Sequence, residues 1–180
     1  MSWIIFAIVC IAVFAIGGSD LAPVLGVSSD HLWNSFIYPF AHASWLHLGI
    51  NMFSIGLMVR PICKLWQRKY NDCTHVGARL FAWSYAAAVL SGLICAEATP
   101  TVGASGMIFF LLGVLLLLNP TRRQFLNYLW IVAAVCVQWY FGKSNVVLHV
   151  VAFVEGALLI TLKEFLIQYK SGVNRGIYTD

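Results

Sequence analysis

The chain has 180 residues, 61% of them hydrophobic and only 10% charged, with a mean hydropathy of +0.82 and a formal net charge of +4. Soluble domains of this length carry about a quarter charged residues, so a surface wetted on all sides is excluded. The modest positive charge is distributed by topology, as the basic residues below make clear, and no nucleic-acid partner is expected. No repeat, linker or low-complexity tract divides residues 1–180, and the expectation is one all-α membrane domain whose main partner is the lipid bilayer.

Six apolar segments follow in chain order. The first, Trp3–Gly17, lacks the basic leader of a secretory signal and has nothing soluble after it, so an uncleaved first span is expected. Ala43–Val59 contains His47 and Asn51, four residues apart and therefore on one side of a helix, with His42 at its outer edge as a structural residue. Leu80–Cys95 is the third. Gly103–Leu118 is the fourth and opens on Gly103, Ala104, Ser105 and Gly106. Tyr128–Phe141 ends in Trp139, Tyr140 and Phe141, an interfacial aromatic belt. Val146–Ile167 carries His149, Ala152 and Gly156 on one face, a small-xxx-small surface that permits close helix approach. Several of these runs fall short of the roughly 20 residues of a full span, so helices that begin inside the bilayer are expected.

Orientation follows from the cations. With the N-terminus inside, Arg60, Lys64, Arg68, Lys69, Arg79, Arg122, Arg123, Lys163, Lys170 and Arg175 all fall on the cytoplasmic side, and only Lys143 lies outside. An N-in, C-in multi-pass protein of the cell (inner) membrane is the expectation. The five cysteines are an odd number, and Cys10, Cys95 and Cys136 lie in spans, which argues against a disulfide framework. Cys63, Cys73 and His75 lack a fourth ligand and the usual spacing, so no metal and no cofactor is expected.

Four polar side chains stand where polar side chains are expensive: Ser105, His149, His47 and Asn51. Fourteen residues, about 21 Å of helix, separate Ser105 from Asn119 at the end of its span, and the same number separates His149 from Lys163. Thirteen residues, about 20 Å, separate His47 from Arg60, with Asn51 one turn deeper. In a hydrocarbon core of about 30 Å, all four lie level, some 10 Å below the outer surface. Each alone has a plainer explanation. A membrane Ser commonly bonds its own backbone, and an Asn or His can simply staple two helices. A nucleophile, two imidazoles and a carboxamide at one depth are the parts of hydrolytic chemistry. The segment around Ser105 is not the strand-borne nucleophile elbow, because Met107 replaces its second Gly and no strand precedes it.

The stretch His42-Ala-Ser-Trp-Leu-His47-Leu-Gly-Ile-Asn51, the Gly103-Ala104-Ser105-Gly106 motif, and His149 with Gly156 resemble the rhomboid intramembrane serine proteases, and the resemblance covers nearly the whole chain. It implies a six-transmembrane-helix bundle in which Ser105 is the nucleophile and His149 its base. His47 and Asn51, with the Ser105 backbone N–H, would stabilise the oxyanion. It further implies a cavity beside Gly103, Ala104, Gly106 and Phe109, lateral entry near the fifth span, and single-pass transmembrane proteins as substrates. Three positions depart from the family pattern. Trp33-Asn34 stands where Trp-Arg is usual, which weakens the expected anchoring of the outer loop. Ala152 replaces a Gly, which would move the fourth and sixth helices slightly apart, and Phe109 stands where Tyr is common. Glu155, in the middle of the sixth span, is expected to hydrogen-bond a neighbouring helix and to stay outside the chemistry.

Rival classes are a catalytically silent rhomboid-like protein that binds membrane helices for quality control and a proton-coupled transporter using His47, His149 and Glu155. The first usually lacks the Ser or His present here, and the second lacks inverted repeats.

Overall fold

The structure is a computed structural model that describes residues 2–119 and 145–176. Five long helices run through these residues: α1 (Ser2–Gly17), α2 (Trp45–Tyr70), α3 (Val76–Ile94), α4 (Ser105–Leu118) and α5 (Val146–Gly176). Four stretches, Ser2–Leu25, Trp45–Tyr70, Val76–Ile94 and Val146–Tyr169, are long and apolar enough to cross a membrane. The fifth apolar segment, Tyr128–Phe141, with Trp139, Tyr140 and Phe141, lies outside the described residues, as do Arg122, Arg123 and Lys143.

α4 is the central post. It is 14 residues long, about 21 Å, and so is shorter than the hydrocarbon core it sits in. Residues on every side of it are buried, with Met107, Leu111 and Val114 fully enclosed, because α2, α3 and α5 all pack against it. An apolar run with no polar face is what such a position demands. The closest approach is to α5. A Cβ added at Gly113 would overlap the backbone of Phe153, and one added at Gly156 would overlap the carbonyl of Phe110, so the two helices meet backbone to backbone at these glycines. Ala152 is fully buried in the same face, and the separation expected from its methyl group does not prevent that contact.

α2 extends well past Val59, where its apolar run ends, to Tyr70. Leu48, Asn51, Ile55, Met58, Ile62 and Trp66 recur at helical spacing on its buried face, which continues unbroken past the charged residues. Cys63 therefore lies within this helix. The opposite face exposes Leu46, Ile50, Phe53 and Leu57, as lipid requires. The helix opens on Ser44, whose Oγ accepts from the His47 backbone N–H at 3.0 Å, and closes on Asn71 in the left-handed conformation (φ 49°) that Asn tolerates.

The C-terminal end of α2, the start of α3 and the later turns of α5 are tied by polar groups. Asp72 pairs with Arg79 at 2.6 Å and accepts from the Trp66 indole at 3.3 Å. Lys69 pairs with Glu164 at 2.5 Å, Tyr70 donates to the same carboxylate at 3.0 Å, and the Lys163 ammonium lies over the rings of Trp66 and Tyr70 at 4.7 and 4.6 Å.

At the opposite end of the bundle, the connection between α1 and α2 folds over the end of α3 and the start of α4. A single antiparallel bridge joins Val27 to Thr101, with N–O distances of 3.0 and 2.9 Å. The Asn34 carboxamide donates to the carbonyls of Val24 at 2.8 Å and Gly26 at 2.9 Å. The weakened anchoring expected from Asn34 is thus corrected: a short carboxamide reaches two carbonyls of the same loop and pins it. Tyr85 of α3 adds a hydrogen bond to the Phe36 carbonyl.

Candidate active site

Ser105 is the first residue of α4, and the turn before it explains its setting. Gly103 has φ +110°, open to glycine but not to residues with a Cβ. A Cβ there would also lie 2.7 Å from the His47 ring and 3.1 Å from Asn51 Nδ2. The missing side chain is what lets α2 bring both groups against the turn. No side chain caps the N-terminus of α4 at Ala104, so the first backbone N–H groups of the helix, Ser105 among them, start without a side-chain acceptor. Positive dipole and unused donors therefore coincide at Ser105.

His149 comes from the first turn of α5. Asn145 starts that helix: its Oδ1 accepts from the Leu148 N–H at 3.0 Å and its Nδ2 donates to the Cys95 carbonyl at 2.8 Å, locking the start of α5 onto the end of α3. The glycine contact between α4 and α5 then carries His149 Nε2 to 2.8 Å from Ser105 Oγ. Phe109, one turn along α4, stacks on the His149 ring with centroids 4.4 Å apart and an interplanar angle of 17°. A flat ring on one side and a hydroxyl at one nitrogen leave the imidazole little rotational freedom. His149 is buried, and Ser105 is half-buried beside it.

Asn51 is 3% exposed, and its Nδ2 has no hydrogen-bond partner among the described residues, although it faces the Gly103 turn. A buried donor without an acceptor is costly, and this one stands beside the turn that leads into Ser105. For His47, the Ala43 N–H donates to Nδ1 at 3.5 Å. A neutral ring that accepts at Nδ1 carries its proton on Nε2, and Nε2 is the atom that faces Gly103. His42 is buried behind it. Its ring meets the His47 ring edge-on at 5.2 Å, and its Nδ1 lies 3.3 Å from the Phe40 carbonyl. The described residues hold no group of three or more His, Cys, Asp or Glu side chains that could bind a metal.

Ser105, His149, Phe109, His47 and Asn51 thus gather around the Gly103 turn, whereas Gly106 packs against Tyr38, Ala88 and Leu148 and Ala104 is fully buried. Glu155 reaches elsewhere, to α3, where the Ser91 hydroxyl donates to it at 3.1 Å. Two residues that support the site were not singled out from the sequence. Asn145 had a legible signal, a capping residue just before an apolar run. Tyr38 had none: it is fully buried in the outer connection, its hydroxyl donates to the Ala88 carbonyl at 2.8 Å, and its own carbonyl accepts from the Gly103 N–H at 3.0 Å.

A family model described as the Rhomboid domain matches residues 29–162. No curated protein and no solved structure matches the chain significantly.

Proposed function

The chain belongs to the rhomboid family, and from that premise we propose that it is an intramembrane serine endopeptidase. The observation that carries the proposal is the 2.8 Å contact between Ser105 Oγ and His149 Nε2. A serine hydroxyl becomes a competent nucleophile when a base takes its proton. As Oγ attacks the scissile carbonyl carbon, its proton passes to His149 Nε2 and the carbonyl π electrons move onto oxygen. Asn51 Nδ2, the His47 Nε2–H and the Ser105 backbone N–H stabilise that oxyanion, each worth about 10²- to 10³-fold. Collapse breaks the C–N bond, Nε2–H protonates the leaving amine, and the acyl group stays on Ser105. A water, deprotonated by His149 in turn, attacks the ester carbonyl; its collapse returns the proton to Oγ and frees the new carboxylate.

The substrate is a single-pass transmembrane protein, since Ser105 opens a helix inside an apolar bundle. Residues 1–180 act as one domain with six spans, N-in and C-in, in the cell (inner) membrane, and the reaction needs no metal and no cofactor.

Labelling of membranes with a fluorophosphonate probe tests the reading. The protease predicts labelling that disappears in Ser105→Ala and falls at least 100-fold in His149→Ala. Absence of labelling in folded wild-type protein would instead mark a catalytically silent relative that binds membrane helices.

A further inference from the structure

Tyr38 connects parts of the molecule that are far apart in sequence. Its ring is fully buried in a slot between two glycines: a Cβ at Gly92 of α3 would lie 2.9 Å from Tyr38 Cε1, and one at Gly106 of α4 would lie 3.0 Å from the hydroxyl oxygen. The slot exists because neither helix presents a side chain there. The hydroxyl donates to the Ala88 carbonyl at 2.8 Å, an α3 acceptor four residues before Gly92. The Tyr38 carbonyl accepts from Gly103 at 3.0 Å and also from Ala41 at 3.2 Å. One residue therefore grips α3 through its side chain and the Gly103 turn through its backbone.

That turn is where precision is needed. Gly103 lies against both His47 and Asn51, and Ser105 follows two residues later. A shift of the Gly103 backbone moves the Ser105 N–H and Oγ relative to the Asn51 and His47 donors, and oxyanion stabilisation falls steeply with such displacement. A ring that merely filled space would need no hydroxyl. The bond to Ala88 fixes the ring along the slot, and the ring fixes the carbonyl that holds Gly103.

We infer that Tyr38 is a positioning residue for the reaction, holding the Gly103–Ser105 turn in register with Asn51 through the Tyr38–Ala88 hydrogen bond. The inference rests on the protease reading of Ser105. It predicts that Tyr38→Phe, which keeps the ring and removes the hydroxyl, lowers kcat about tenfold while KM stays within about twofold, because the loss is confined to the transition state. It also predicts coupling to Asn51: in an Asn51→Ala background, Tyr38→Phe should cost clearly less than in wild type, since one of the donors it aligns is gone.

The experiment measures cleavage of a quenched fluorogenic transmembrane peptide, with Ala at the outer end of its span, by the full chain in detergent micelles. Wild type, Tyr38→Phe, Asn51→Ala, the double variant and Ser105→Ala are compared, with thermal melts of each. If Tyr38→Phe does not fold, Gly92→Ala takes its place: it keeps the hydroxyl, pushes on the ring, and should lower kcat in the same Asn51-dependent way. Unchanged kcat in the folded variant, or a loss that adds in full to that of Asn51→Ala, overturns the positioning role and leaves the protease reading standing. Wild-type protein with no Ser105-dependent cleavage overturns the protease reading and the inference together.

Discussion

The two histidines of the site occupy different chemical positions. His149 Nε2 touches Ser105 Oγ directly, whereas His47 receives a backbone N–H at Nδ1 and presents Nε2 to the Gly103 turn. A base that moves the proton in both halves of the reaction cannot be replaced by its neighbours; one donor among three can be partly replaced. Cleavage assays on folded variants should therefore find His149→Ala inactive, and His47→Ala and Asn51→Ala each reduced about 10²- to 10³-fold but measurable. Equal and complete loss in His149→Ala and His47→Ala would contradict this division. Glu155 answers to a different test. Its partner is the Ser91 hydroxyl, which a carboxamide can also engage. Glu155→Gln should keep both melting temperature and activity, while Glu155→Ala, by leaving Ser91 without that partner, should lower stability by about 1–3 kcal/mol.

At the scale of elements, the contact between α4 and α5 decides whether Ser105 and His149 meet at all. Backbone lies on backbone at Gly113 and Gly156, and neither partner is a flexible side-chain end that could give way. Gly156→Ala should cost about 1–3 kcal/mol of stability in a micelle melt, as overpacking does. It should also lower kcat by spreading Ser105 from His149. The outer connection is held more lightly. Asn34→Ala removes two hydrogen bonds at a half-exposed position, worth about 1–2 kcal/mol together, and leaves the Ser105–His149 pair in place. A drop in melting temperature with nearly constant kcat is the expected pattern.

Across the whole molecule, the Ser105–His149 pair sits near one end of the bundle while the ion pairs sit near the other. Arg79 above all, with Thr74 next, holds the Asp72 carboxyl well below the usual carboxylate range. A carboxyl depressed in the folded state stabilises the protein at pH values above its ordinary pKa, and that contribution begins to fall as pH drops below about 4 and declines further toward the depressed folded-state value. Melting curves from pH 7 down to pH 3 should show an acid-side decline that is shallower in Asp72→Asn. On the protease proposal and the N-in orientation it carries, Ser105 lies about 10 Å below the outer surface, and that depth sets where a substrate is cut. A helical peptide bond is shielded by its own hydrogen bonds, so the substrate must unwind near the outer end of its span, where Gly, Pro or polar residues weaken the helix. On the same proposal, the tight turn at Gly103 and Ala104 favours a small residue before the scissile bond. Mass spectrometry of the products should place the cut within about two turns of the outer boundary, after Ala, Ser, Gly or Cys. A cut near the cytoplasmic boundary would contradict both the depth and the orientation.

What the amino-acid order determines here is class, family and level. Composition alone requires a membrane protein, and a fixed rise per residue puts Ser105, His149, His47 and Asn51 at one depth without any knowledge of contacts. Tertiary structure alone decides azimuth and support. In lipid both faces of a helix are apolar, so the pattern does not separate the buried Ile55 and Met58 of α2 from the lipid-facing Phe53 and Leu57, and hydropathy could not reveal that this helix runs on to Tyr70. The same limit applies to Tyr38 and Asn34. Their roles depend on backbone carbonyls at Ala88, Val24 and Gly26, and every residue type carries a carbonyl, so no side-chain pattern marks the acceptor. Only the folded chain, by bringing those carbonyls to a particular hydroxyl and carboxamide, decides where the turn that bears Ser105 stands.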